Sequence, residues 1–179
     1  MNLANKLTLA RVVMIPVFLV VLLTGIFPYP FNRYAATAIF VIASATDMLD
    51  GYIARSRNMV TNFGKFMDPI ADKLLVASAM ISLVGLGELS AVAVIIIISR
   101  EFIVSGFRLI AVEAGIVIAA SKWGKIKTIT QMITLIFLLM GFGGTTAGII
   151  GFVLVLLSVV LTIISGVDYI WKNKEVLKG

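Results

Sequence analysis

The 179-residue chain contains no cysteine and no histidine. It therefore builds no disulfide, no thiol nucleophile, no Ser-His-Asp triad and no Cys/His zinc site. Any metal it holds must sit on oxygen, which favours Mg²⁺, Mn²⁺ or Ca²⁺. Charge is scarce as well. Only 13% of the residues are charged and 60% are hydrophobic, an excess over the roughly 45–50% apolar content of a soluble domain that implies lipid as the solvent. Proline is limited to four residues, and no Pro/Ser-rich linker, low-complexity tract or clear internal repeat divides the sequence. The chain reads as one domain over residues 1–179.

What is present is a series of apolar runs, at residues 7–26, 34 to about 48, 70–86, 89–110, 128–142 and 149–170. Most approach the ~20 residues needed to cross a hydrocarbon core, and the two shorter ones have amphiphilic extensions that complete a span. An open sheet would leave backbone groups unpaired in lipid, and the alternation of a barrel is missing. The expected fold is all-α, an integral membrane bundle of six transmembrane helices. Pro16 lies inside the first run and predicts a kink, whereas Pro28 and Pro30 mark the turn after it. The first run is long and follows an Asn-rich, weakly charged start, which reads as a retained helix and not as a cleaved signal. Residues 1–10 place Leu3, Leu7 and Leu9 among Asn2, Asn5, Lys6 and Thr8. They read either as a short N-terminal interfacial segment or as a frayed terminus.

The 15 Lys and Arg residues are unevenly distributed among the runs. Lys6 and Arg11 open the first; Arg55, Arg57 and Lys65 follow the second; Lys122, Lys125 and Lys127 follow the fourth; Lys172, Lys174 and Lys178 close the chain. The alternate connections carry little: Arg33, Glu88, and no charge near Gly143 and Gly144. An excess of basic residues marks cytoplasmic loops, so both termini and the two basic loops are expected in the cytoplasm. The net charge of +6 then reflects topology and contact with anionic membrane lipids, and no nucleic-acid partner is implied.

Four of the nine acidic residues, Asp47, Asp50, Asp68 and Asp72, fall inside or at the ends of these spans, where an ionised side chain costs at least ~2.5 kcal/mol. Asp47 and Asp50 are three apart and Asp68 and Asp72 four apart, so each pair shares one helical face, and the short basic connection makes the two helices neighbours. Counting back from Arg55 at ~1.5 Å per residue puts Asp47 roughly 12 Å below the cytoplasmic end of its helix. Converging carboxylates there would repel one another unless cations neutralised them, and divalent metal is the economical answer. The competing reading has them as structural ion pairs with Lys73, Arg55 or Arg100, or as helix caps. Gly51 and Ala54 stand four and seven positions after Asp47, and Gly64 stands four before Asp68, leaving room beside the carboxylates for something bulky. Singly, each of these small residues also serves helix packing.

Together these residues spell D-x2-D-G-x2-A-R-x8-G-x3-D-x3-D from Asp47 to Asp72, and the pattern resembles the signature of the CDP-alcohol phosphotransferase family at all eight specified positions. The resemblance implies a six-helix membrane enzyme with two divalent ions, Mg²⁺ or Mn²⁺, at the aspartates and a CDP-linked lipid donor. It implies Asp47, Asp50 and Asp68 as main metal ligands, with Asp72 as a further ligand and as the base that takes the acceptor's hydroxyl proton. Gly51, Ala54 and Gly64 would shape the cytidine pocket and Arg55 would reach the nucleotide phosphate. Asn5 and Thr8 would contact the same nucleotide, or else are simply polar residues of the interface. The segments 1–11, 99–108 and 121–128 with Gln131 are similar to the bacterial branch that pairs CDP-diacylglycerol with glycerol 3-phosphate, although Ala4 stands where that branch often has Pro. This implies a plasma-membrane enzyme with its active site facing the cytoplasm, and a homodimer.

An acceptor bearing a phosphate needs a second cationic pocket. Glu101, Ser105 and Arg108 fall at i, i+4 and i+7 as a polar stripe, and Lys125, Lys127, Thr128 and Gln131 open the next helix. Arg108 and Lys125 are the candidates for the acceptor phosphate, while Lys122, Lys125 and Lys127 equally suit ordinary cytoplasmic anchors. Arg100 beside Glu101 reads as a structural pair. Gly144 and Gly148 read as an outer turn in preference to a packing seam. Other acceptors within the family, giving phosphatidylinositol-phosphate, phosphatidylserine or cardiolipin synthesis, are the nearest alternatives. A cation transporter, the alternative from another class, would need polar groups reaching the far side, and the outer halves of the runs are nearly bare.

Overall fold

The computed structural model describes residues 3–56, 62–113, 115, 116, 118 and 121–174, with backbone alone for 3–6, 47–56, 62–66 and 113. Among the described residues there are six α-helices and no strand: α1 Leu3–Leu23, α2 Phe31–Ser56, α3 Asn62–Gly85, α4 Ala91–Glu113, α5 Lys122–Met140 and α6 Thr145–Lys172. Each covers most or all of one of the six apolar runs. By length and composition α6, with 28 residues, is long and apolar enough to cross a membrane, and 7–23 of α1 forms a shorter apolar stretch. The contacts divide the chain into two compact units, 1–86 with 138–141, and 87–137 with 142–179.

In the first unit, α1 packs against both α2 and α3. Its buried face is Thr8, Arg11, Ile15, Phe18 and Leu22, a 3-4-3-4 spacing that keeps one stripe inward along a helix. On α2 the fully buried residues Ala36, Phe40 and Ala43 follow the same rule, and Phe18 meets Phe40 with ring centroids 6.1 Å apart. On α3 the stripe runs through Leu75, Ala79 and Ser82. The lipid-type residues Val13, Val17, Val20 and Ile81 lie exposed on the opposite faces.

Two expectations change. Residues from Leu3 onward are not a separate interfacial element but the first turns of a continuous α1. The reason is local: no Gly or Pro interrupts 3–15, and Thr8 and Arg11 are drawn into the packed stripe. Helix α1 also runs through Pro16, whose ring is on an exposed side, away from the packed face. Arg33, expected in a loop, occupies the start of α2 at 8% exposure. Beside it, Gly141 ends α5 with φ 64°, and a Cβ there would stand 3.4 Å from Arg33 Cγ. Both the left-handed backbone and the close approach favour glycine.

In the second unit, α4 and α6 pack together, with the Phe107 and Tyr169 rings edge to face at 5.8 Å. The buried face of α6 includes Gly151, Ser158, Thr162, Ser165, Gly166 and Tyr169. Small and hydroxyl-bearing residues at such a seam let helices approach and bond across it. Thr134 of α5 and Ser158 share a hydrogen bond of 2.8 Å. Gly144, with φ 95°, belongs to the turn before α6, while Gly148 lies within the helix.

Candidate functional site

The stripe of α2 continues in register from Ala36, Phe40 and Ala43 to Asp47 and Asp50, and that of α3 runs from Asp68 and Asp72 into Leu75 and Ala79. The aspartates thus occupy the positions that, further along the same helices, make the apolar core. Asp68 and Asp72 are both partly buried and one turn apart. Helix α3 carries Pro69 between them, so its first turns persist where a proline usually marks a boundary. The side chains of Asn5, Asp47, Asp50, Gly51, Ala54, Arg55 and Gly64 lie outside the described residues; their backbones are helical, in α1, the C-terminal turns of α2 and the first turns of α3.

Thr8 is 1% exposed, and its hydroxyl donates to Asp68 Oδ1 at 2.5 Å. Three residues on, Arg11 is fully buried and its Nε donates to the Ala43 carbonyl at 3.2 Å, one turn before Asp47. One face of α1 therefore meets both aspartate helices. Arg11 opens the first apolar run among the basic residues that mark the cytoplasmic side; the spacing of Ile15, Phe18 and Leu22, extended backwards, places it on the packed stripe. Asp68 and Asp72, two partly buried carboxylates one turn apart in a chain without His or Cys, are oxygen donors of the kind that suits a hard divalent cation; among the described residues no third acidic side chain joins them.

The second unit holds a cluster of charge. Glu101 Oε1 accepts from Arg100 Nη1 at 3.1 Å and from Lys127 Nζ, and Arg100 Nη2 also bonds the Ser165 hydroxyl. Arg100 with Glu101 is thus a structural pair, as expected, extended to α5 and α6. Gly166 makes room for it: a Cβ there would stand 3.1 Å from Arg100 Cγ. Ser105 donates to the Glu101 carbonyl at 2.6 Å, its bond to the turn above. Arg108 is exposed at the end of the stripe; its Nε donates to Tyr169 Oη at 3.2 Å and its guanidinium lies 5.7 Å from the Tyr169 ring centre, a cation–π arrangement.

Lys125 and Lys127 face different ways. Lys125 is exposed, whereas Lys127 is 2% exposed and, with Gln131 one turn later, faces inward. Lys127 is therefore no interfacial anchor. The available signal was Glu101 itself, a carboxylate inside an apolar run, where an ionised side chain needs a partner.

The profile described as CDP-alcohol phosphatidyltransferase matches residues 1–164, and the chain belongs to that family. Among its relatives is a Bacillus subtilis protein named CDP-diacylglycerol--glycerol-3-phosphate 3-phosphatidyltransferase, 44% identical over 99% of this chain and 97% of its own. Proteins of the same name from Rickettsia bellii, 40% identical over 94% and 93% of the two chains, and from Haemophilus influenzae, 38% over 99% and 94%, are similar along nearly their whole length.

Proposed function

We propose that this protein is a CDP-diacylglycerol--glycerol-3-phosphate 3-phosphatidyltransferase, a phosphatidylglycerophosphate synthase. It transfers the phosphatidyl group of CDP-diacylglycerol to glycerol 3-phosphate. The 1-hydroxyl oxygen of the acceptor bonds to the lipid-side phosphorus, the bond from that phosphorus to CMP breaks, and the products are phosphatidylglycerophosphate and CMP. The observation that carries this reading is the 44% identity across 99% of the chain with the Bacillus subtilis relative of that name.

In this reading Asp47, Asp50, Asp68 and Asp72 hold two divalent ions, Mg²⁺ or Mn²⁺. Divalent ions held there would supply neutralisation of the charge that develops on the leaving phosphate and would favour in-line displacement. Asp72 takes the proton of the attacking hydroxyl. Arg55 binds the nucleotide phosphate through charge-assisted hydrogen bonds, with Gly51, Ala54 and Gly64 leaving space for cytidine and Asn5 contacting the nucleotide. Arg108 and Lys125 bind the phosphate of glycerol 3-phosphate. The alternation of basic and charge-poor connections supports six spans, both termini and the active site on the cytoplasmic side, and residence in the bacterial plasma membrane. The family resemblance supports a single catalytic domain and a homodimer.

The test offers the purified protein CDP-diacylglycerol with labelled glycerol 3-phosphate, serine, inositol phosphate or phosphatidylglycerol and measures CMP release. Glycerol 3-phosphate should be the productive acceptor; turnover with one of the others in its place would reassign the protein within the family.

A further inference from the structure

Thr8 lies on the packed face of α1, far from its partner in sequence, and gives its hydroxyl proton to Asp68 Oδ1 at 2.5 Å. Two features make this bond more than incidental. Thr8 is enclosed, at 1% residue exposure, whereas Asp68 is only partly buried, so packing holds the donor against a carboxylate that stays partly exposed. The helix that carries it is also fixed in place: Arg11, on the same face, holds the Ala43 carbonyl of α2 at 3.2 Å, so α1 is tied to one aspartate helix while Thr8 reaches the other.

A carboxylate has two oxygens and about four lone-pair directions. A donor fixed on Oδ1 sets the plane of the group and leaves Oδ2 as the oxygen with its full set of lone pairs. We propose that Thr8 is a positioning residue for the metal site: by engaging Oδ1 it orients Asp68 so that Oδ2 is presented to a divalent cation. This assigns Thr8 a role different from nucleotide contact, and it rests on the reading of the aspartates as metal ligands. Partners that orient a ligand in this way commonly change metal affinity 10- to 100-fold when removed. Threonine's branched Cβ limits χ1 to a small set of rotamers, one of which carries the hydroxyl to Asp68.

The experiment titrates Mn²⁺ into the full-length protein in detergent without substrate, following free Mn²⁺ by electron paramagnetic resonance. Wild type is compared with Thr8→Val, Thr8→Ala, Thr8→Ser and Asp68→Asn, each checked for a cooperative thermal transition. Thr8→Val and Thr8→Ala, either of which suffices if folded, should weaken Mn²⁺ binding about 10-fold or more. Thr8→Ser, which keeps the donor, should stay near wild type, and at saturating Mn²⁺ the KM for CDP-diacylglycerol should be unchanged in all three. Wild-type Mn²⁺ affinity in the folded Val or Ala variant overturns the proposal while leaving the metal reading intact, and a raised donor KM with unchanged Mn²⁺ affinity returns Thr8 to the nucleotide. If wild type binds no Mn²⁺, or Asp68→Asn binds it as well as wild type, the metal reading fails and this proposal with it.

Discussion

Lys127 on α5, at 2% exposure, donates to the same Glu101 oxygen on α4 that accepts from Arg100 at 3.1 Å. One carboxylate thereby holds two cations carried by two helices, and Arg100 reaches a third helix through Ser165.

Removing that charge should be more damaging than removing either cation. Glu101→Gln removes the negative charge that Arg100 and Lys127 share and is expected to cost roughly 3 kcal/mol, within the range for charged hydrogen bonds and broken buried pairs. Lys127→Met leaves Glu101 still paired with Arg100 and should cost less. Thermal unfolding in detergent gives the order; a Glu101→Gln variant that melts with wild type would show that the cluster adds nothing to stability.

Topology can be read directly. Reporter fusions or engineered-cysteine labelling after positions 60, 122 and 176 should report the cytoplasm, and those near 30, 88 and 145 the outside. Agreement at fewer than five of the six positions would remove the six-span arrangement.

Neutralising Arg108 or Lys125 should raise the KM for glycerol 3-phosphate by roughly 10- to 100-fold, the equivalent of one charge-assisted hydrogen bond, with a much smaller effect on CDP-diacylglycerol. Tyr169→Phe removes the hydroxyl that Arg108 bonds and keeps the ring beneath the guanidinium, so it separates anchoring of Arg108 from its charge. Equal losses for both substrates would assign Arg108 and Lys125 to structure.

Activity should vanish in EDTA and return with Mg²⁺ or Mn²⁺. Asp72→Asn keeps the shape of the side chain but cannot take a proton, so turnover should fall about 100-fold or more while CDP-diacylglycerol binding in Mg²⁺ survives. Asp47→Asn should weaken metal and donor binding together. If Asp72→Asn loses both as completely, Asp72 is a ligand first and the base lies elsewhere.

The helices were legible because lipid demands long apolar runs, and each run became one helix. The aspartates stood out for the converse reason, since charge in such runs needs a cause. Polar residues that face inward were harder. In sequence Thr8 reads as a nucleotide contact or as interfacial polarity and Arg11 as one of the basic residues that mark the cytoplasmic side; only the stripe of Ile15, Phe18 and Leu22 puts both on the packed face of α1. Lys125 and Lys127, two positions apart, look alike in a basic segment; only the partner on α4 distinguishes the exposed one from the enclosed one. Composition records that a residue is polar, whereas its partner, which gives it a role, comes from another helix, sixty residues away for Thr8 and Asp68.

Gly166 carries a mechanical consequence. The Arg100 stem crosses α6 where a methyl group would leave only 3.1 Å to Cγ, and its guanidinium is tethered to Glu101 on one side and Ser165 on the other. With both tethers in place the stem has little freedom to swing aside. The missing carbon works as a keyway: Arg100 is the key, and sliding α4 along α6 by a residue would draw it out of its notch and against the next Cβ. The phase of the two helices is thus indexed by a single absent atom, leaving their outward-facing residues free to vary without disturbing the alignment.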